Sequence, residues 1–279
     1  MAKRELTLAE IHEGTLEVLK RFISVCDQIG VLYFLAYGSL IGAVRHHGFI
    51  PWDDDLDVIM LRPDYEKFRE YCNKHEGELT PFRFFDRHNT PDYPYTIGRF
   101  CDTRYQMVRN DDVPDAGQGM FIDIYPHDGA GNNNDKHWKS ILKKKKHLMV
   151  LLGCAFSKTP VPSKSNKLLA PIRLPIYLYS HFKKPKYFLD KMEALRDVYP
   201  FDKSKYVTCI IWDVEIRQCP KEWFLEYTTL PFEGIQVKVP KEYDSVLRDT
   251  YGDYMQLPPE EKRVTHHVFK AYFKSEEGK

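Results

Sequence analysis

Between Lys136 and Leu189 the chain has no aspartate or glutamate, yet that stretch carries thirteen lysines and arginines. The net charge of +1 therefore hides an asymmetry, since the other 28 basic and 40 acidic residues leave the rest of the chain at −12. None of the six cysteines forms a CxxC pair and their spacings are irregular, which argues against structural zinc and against a disulfide framework. The N-terminal MAKRELTLAE lacks the apolar core of a secretory signal. No run approaches the roughly 18 apolar residues of a membrane span. These absences lead us to expect a reducing, cytoplasmic setting. No helix-turn-helix or RNP motif accompanies the basic stretch, so nucleic acid is not expected as a partner.

At 279 residues, with 43% hydrophobic and 29% charged residues, the chain can bury one large domain, or a domain with a subdomain. Aromatics make up 14%, which suits a sugar- or base-stacking cleft, although an aromatic-rich core is the commoner cause.

The most informative stretch is FLAYGSLIGAVRHHGFIPWDDDLDVIM, residues 34–60. Val31 to Leu35 reads as a strand, followed by Gly38–Ser39 and a short helix over 39–45. Asp53, Asp54, Asp55 and Asp57 then run into Val58-Ile59-Met60-Leu61. If that whole run is a strand, Asp53, Asp55 and Asp57 share one face while Leu56 and Val58 point to the core. Asp55 and Asp57 would then stand about 6.6 Å apart along the backbone. Hard oxygen ligands at this spacing suit Mg²⁺ or Mn²⁺. Acidic runs are more often solvated loops, but four acids against an apolar strand repel one another and call for a compensating cation. The N–H groups of the Gly38–Ser39 turn and the Ser39 hydroxyl are candidates to hold a phosphate.

A second carboxylate stands in an apolar strand: Met120-Phe121-Ile122-Asp123-Ile124-Tyr125. A buried acid there costs on the order of several kcal/mol or more unless paired or metal-bound. Asp123 thus reads as half of a structural ion pair or, beside the Asp55/Asp57 pair, as a third carboxylate. Elsewhere the periodicities predict helices over 6–29 (opened by a Thr7/Glu10 capping box), 63–76, 139–152 and 186–199, and strands over 82–86, 95–109, 207–212 and 234–240. In the basic stretch, aliphatic and aromatic residues interleave with lysines. Two readings stay open there: a helical subdomain with a solvated lysine face, or peripheral contact with an anionic membrane or acceptor.

Gly-Ser, a spacer and Asp-x-Asp on a strand resemble the nucleotidyltransferase signature. The longer string Tyr37 to Arg45, with Gly48 to Asp57, resembles the LicD family more narrowly, as do the strand over 121–128 and Tyr251-Gly252-Asp253-Tyr254 through Leu257-Pro258-Pro259 to His266. His127 departs from that family's pattern, which usually has an apolar residue there; a polar cleft-wall position is expected for it. The resemblance implies an α+β fold: a nucleotidyltransferase-like mixed sheet flanked by helices, with a basic helical insert. The expected division is a core over 1–135, the insert over 136–189, and a C-terminal α/β part over 190–279. It also implies transfer of phosphocholine or a related phosphoalcohol from CDP-choline or a similar CDP-alcohol to a hydroxyl of a glycan acceptor. Lipid-linked precursors of teichoic acid, capsule or lipo-oligosaccharide are the expected acceptors. In that scheme Asp55 and Asp57, with Asp53 as a further ligand, hold Mg²⁺ or Mn²⁺. Gly38 and Ser39 hold donor phosphate, with Arg263 and His266 nearby. Asp123 orients or deprotonates the acceptor, and Arg45 stabilises charge in the transition state. The alternatives are nucleotide transfer from an NTP on the same scaffold, and a non-catalytic glycan- or membrane-binding protein with a decayed site.

Overall fold

The computed structural model describes residues 4–90, 93–109, 118–160, 170–212, 217–265 and 269–274. It opens with α1 (Leu8–Ile29), whose capping box forms as the Thr7/Glu10 pair requires: Glu10 N–H donates to Thr7 Oγ1 at 3.3 Å and Thr7 N–H donates to Glu10 Oε2 at 2.8 Å. Gly30 ends the helix at φ 67°, a left-handed conformation that suits glycine. One face of α1 carries Val18, Leu19, Phe22, Val25 and Cys26, all fully buried. Each of its large side chains contributes roughly 1.5–3 kcal/mol of burial.

β1 (Phe34–Leu35), α2 (Tyr37–Arg45) and β2 (Asp57–Leu61) follow, then α3 (Arg62–Lys74), α4 (Glu76–Leu79), β3 (Phe82–Phe85), β4 (Gly98–Asp102), β5 (Tyr105–Arg109) and β6 (Met120–Ala130). The main sheet has the order β1-β2-β6-β4-β3. Within it β2 and β6 run parallel and the other pairings are antiparallel, so the sheet is mixed. The basic stretch forms α5 (Lys136–Phe156) and α6 (Ala170–Glu193), which pack on each other. The chain then returns to the sheet: β7 (Tyr206–Thr208) pairs with the end of β6 and with β8 (Cys219–Pro220). A hairpin of β9 (Tyr227–Phe232) and β10 (Ile235–Pro240), α7 (Tyr243–Tyr251) and β11 (Phe269–Phe273) complete the described chain. Among the described residues no helix is long and apolar enough to cross a membrane.

Several expectations change: the strand expected over 95–109 is the two strands β4 and β5, and the helix expected over 186–199 ends with α6 at Glu193. The strand expected from Val31 to Leu35 is only Phe34–Leu35. The one expected to run to residue 212 stops at Thr208 and turns. The acidic run is not a strand before Asp57. Instead Asp53 N–H donates to Ile50 O at 2.9 Å, closing a turn with Pro51 at its second position, which proline's fixed φ favours. Asp53, Asp55 and Asp57 therefore do not share a strand face. The periodicities also passed over β9, an alternately exposed hairpin strand, and β11, which pairs with β5. A polar loop is expected over 110–119, of which 110–117 lie outside the described residues.

Candidate active site

The site is built across the middle of the sheet. Asp57 opens β2 and lies in register beside Asp123 of β6; Asp123 in turn lies opposite Arg99 of β4. Register partners in adjacent strands share a face, so Asp57, Asp123 and Arg99 form a row across three strands, with about 4.8 Å between strands. Arg99 grips Asp123 with two bonds: Nε donates to Oδ1 at 2.5 Å and Nη2 to Oδ2 at 3.2 Å. Nη1 donates to Gln118 Oε1 at 3.0 Å. The guanidinium is stacked between the rings of Tyr95 and Phe121, 4.0 and 3.8 Å from their centroids. Burial disfavours the charge on Arg99, but Asp123 together with Tyr93 and Tyr95 more than offsets this and the guanidinium's pKa is raised. Of the two readings of Asp123, the ion pair is present, and its partner stands in the same row as the acids.

Asp57 has no such cation among the described residues. Its Oδ1 is buried without a hydrogen-bond partner. Burial pushes its pKa well above the usual carboxylate range, and Asp55, Asp123 and Asp53, in that order, push it further. The Tyr125 hydroxyl, donating to it, acts the other way. Asp53 and Asp55 thus lie within electrostatic reach of Asp57 although they stand on the connecting segment. Among the described residues no three His, Cys, Asp or Glu side chains form a ready-made metal cage. The donor set still fits a hard divalent cation, because Mg²⁺ is commonly held by one or two carboxylates plus substrate phosphates, and Asp57 Oδ1 is a buried oxygen still lacking its counter-charge.

Residues 37–39 adjoin this row. α2 begins two residues before the expected start, with Ala36 as its N-cap, so Gly38 and Ser39 sit in its first turn. Tyr37 takes φ 48°, rare and strained for an aromatic residue, and its ring packs edge-on against Tyr125 with centroids 5.0 Å apart. Ser39 Oγ accepts the Asp57 N–H at 2.9 Å, which ties α2 to the start of β2. The hydroxyl keeps its own proton to donate to an anion. A Cβ on Gly38 would stand 2.6 Å from Asp53 Oδ2, so the missing side chain is what lets that carboxylate lie against α2.

Arg45 stands at the far end of α2, about 10 Å from Gly38 at 1.5 Å per residue. Its Nη1 donates to Tyr254 O at 2.7 Å and its Nε to His46 Nε2 at 3.0 Å. Burial lowers its pKa, and Arg263 adds to the effect. Arg263 Nε donates to Pro258 O at 2.9 Å, with the guanidinium 5.8 Å from the Trp52 ring centroid. Arg45, Trp52 and Asp53 share a cleft of ≈ 760 Å³ whose other wall includes Tyr254 and Leu257. His266 lies outside the described residues. His127 is not on the wall of this cleft. It is buried, lines a cavity of ≈ 400 Å³ with Tyr37, Cys209 and Phe224, and burial lowers its pKa to about 4.

The sequence reading gave no role to Arg99, Tyr125 or Tyr37. The available signal for Arg99 was an arginine flanked by Ile97, Gly98 and Phe100, the basic counterpart of the lone acid in Met120–Tyr125.

Comparisons with known proteins cover the part of the chain in which the row Asp57, Asp123 and Arg99 lies. The family model for the LicD/FKTN/FKRP nucleotidyltransferase domain matches residues 30–161. The lipopolysaccharide cholinephosphotransferase LicD of Haemophilus influenzae is 31% identical over 278 residues, covering 96% of this chain and 99% of that protein. The ribitol 5-phosphate transferase FKRP of Homo sapiens is 33% identical over 69 residues, covering 25% of this chain and 14% of that protein.

Proposed function

The chain belongs to the LicD family, and on that footing we propose that it transfers phosphocholine or a related phosphoalcohol from a CDP-activated donor to a hydroxyl of a cell-surface glycan precursor. The observation that carries this reading is the row Asp57–Asp123–Arg99 beside the first turn of α2, in a chain aligned end to end with a cholinephosphotransferase. The mixed sheet is read as nucleotidyltransferase-like on the same grounds.

Asp55 and Asp57 would hold Mg²⁺ or Mn²⁺, with Asp53 as a further ligand. A cation there supplies positive charge at the donor diphosphate and favours departure of CMP. Gly38 and Ser39 hold donor phosphate oxygens at the positive end of α2. Asp123 accepts a hydrogen bond from the acceptor hydroxyl and takes its proton as the new P–O bond forms and the bond to CMP breaks. Because Arg99 engages both Asp123 oxygens, the carboxylate is held in one orientation and meets the hydroxyl with its remaining lone pairs. The Arg45 guanidinium lines the cleft where a negatively charged donor would lie, and Arg263 stands beside Trp52 of the same cleft.

The test is donor-dependent release of CMP from CDP-choline, with Mg²⁺ and a glycan acceptor, and its loss in Asp57→Asn. Choline, ethanolamine, glycerol and ribitol donors compared in one assay identify the headgroup. Pyrophosphate release from an NTP, with no CMP from CDP-choline, would instead establish nucleotide transfer, which the name of the matched domain favours as the second reading.

A further inference from the structure

We propose that the outer face of α6 seats the protein on an anionic membrane surface. Leu174, Leu178 and Phe182 recur every fourth residue and are 46%, 58% and 80% exposed, and Tyr179 on the same side is 44% exposed. A helix at a protein surface ordinarily buries its apolar stripe and shows water its polar side. Here the opposite side is the one that packs: Ile176 contacts the core and Ser180 is fully buried. The stripe ends abruptly, since Pro185 disfavours the helical conformation at the preceding residue, and Lys184 takes φ 64°. Phe182 is thus the projecting tip just before a bend.

Charge identifies the occupant. Lys183, whose Nζ lies 5.8 Å from the Phe182 ring centroid, and Lys184 flank the tip, and the first acid after them, Asp190, is already engaged by Lys186. On α5, Lys143, Lys144 and Lys146 are exposed, as is Val150 at 55%. A row of bare aliphatic and aromatic side chains with cations beside it matches a bilayer interface, where the apolar side enters about 5–10 Å and lysines meet anionic headgroups. A solvated lysine face, the other reading of this segment, does not account for exposed Leu178 and Phe182. The proposal stands apart from the transfer chemistry.

The experiment is flotation of the full chain with phosphatidylcholine vesicles, with and without about one-third phosphatidylglycerol, at low and high salt. Binding to the anionic vesicles is expected, weakened by salt. Leu178→Ser with Phe182→Ser should lower partitioning at least about tenfold. Lys183→Ser and Lys184→Asn should each lower it about fivefold, on anionic vesicles alone. These side chains lie at the surface, so circular dichroism and melting temperature should not change. The proposal is overturned by absence of binding to anionic vesicles at low salt, or by equal binding with the Leu178/Phe182 substitutions. It is also overturned if sedimentation finds a dimer that those substitutions dissolve, because the face would then belong to a second copy.

Discussion

Replacing Arg99 by methionine removes the cation facing Asp123 while roughly keeping the volume between Tyr95 and Phe121. The two side chains are 7% and 8% exposed, so water cannot substitute for the lost partner. Removing one member of a buried pair costs about 3–5 kcal/mol, because the other charge stays buried and unpaired. Here the cost belongs at the upper end, since Asp57 stands beside Asp123 in the same row and Gln118 Oε1 also loses its donor. Methionine recovers part of the ring contact, about 0.3–1.5 kcal/mol. Urea unfolding followed by circular dichroism reads the change. The double variant Arg99→Met/Asp123→Leu completes a cycle in which the pair is removed together. It should be more stable than the sum of the single variants implies, by about 2 kcal/mol or more. A loss below about 1 kcal/mol in Arg99→Met, or additivity within about 0.5 kcal/mol, would refute the claim that this pair holds the acid row together.

Three further outcomes are expected. Asp57→Asn should raise the melting temperature of the metal-free protein by several degrees while abolishing transfer and any Mg²⁺-induced thermal shift. The sign follows from a folded-state pKa raised above its unfolded value: wild-type stability falls as pH rises beyond the ordinary carboxylate range, and the neutral amide does not titrate. Gly38→Ala places a Cβ 2.6 Å from Asp53 Oδ2, so turnover should fall at least about tenfold as that carboxylate is displaced. Its urea midpoint should hold or rise, because alanine is favoured over glycine within a helix by about 1 kcal/mol. For His127, burial lowers the pKa from 6.5 to about 4, so the unfolded chain binds the proton first as pH drops. That stability is full above pH 6.5 and is lost as pH falls to about 4, by roughly 3 kcal/mol. Urea midpoints for His127→Leu across this window should show a flatter slope.

The local elements were legible because their signals are short-range. The Thr7/Glu10 box and Gly30 bound α1, and the apolar run with one acid at Asp123 is a strand, as the structure shows. The acidic run misled for an equally local reason. Alternation places Asp53, Asp55 and Asp57 on one face only if the strand ladder reaches them, and the Pro51 turn stops it at Asp57. His127 read as a cleft-wall residue, and it does line a pocket, but with Tyr37, Cys209 and Phe224 rather than with Arg45 and Trp52, since which pocket a polar residue meets depends on what packs beside it.

The residue order alone determined that an acid pair, a glycine–serine turn and a lone buried acid exist, and that a long segment carries only positive charge. Tertiary structure decided which of these meet. The parallel pairing of β2 with β6 and the antiparallel pairing of β4 with β6 set Asp57, Asp123 and Arg99 in one row. Alternation within one strand fixes which side chains face inward, but which strands lie side by side depends on pairing between residues far apart in the chain. For the same reason the basic segment did not reveal which face of α6 it leaves bare: the choice was made by Ile176 and Ser180 packing inward, which left Leu178 and Phe182 to the outside.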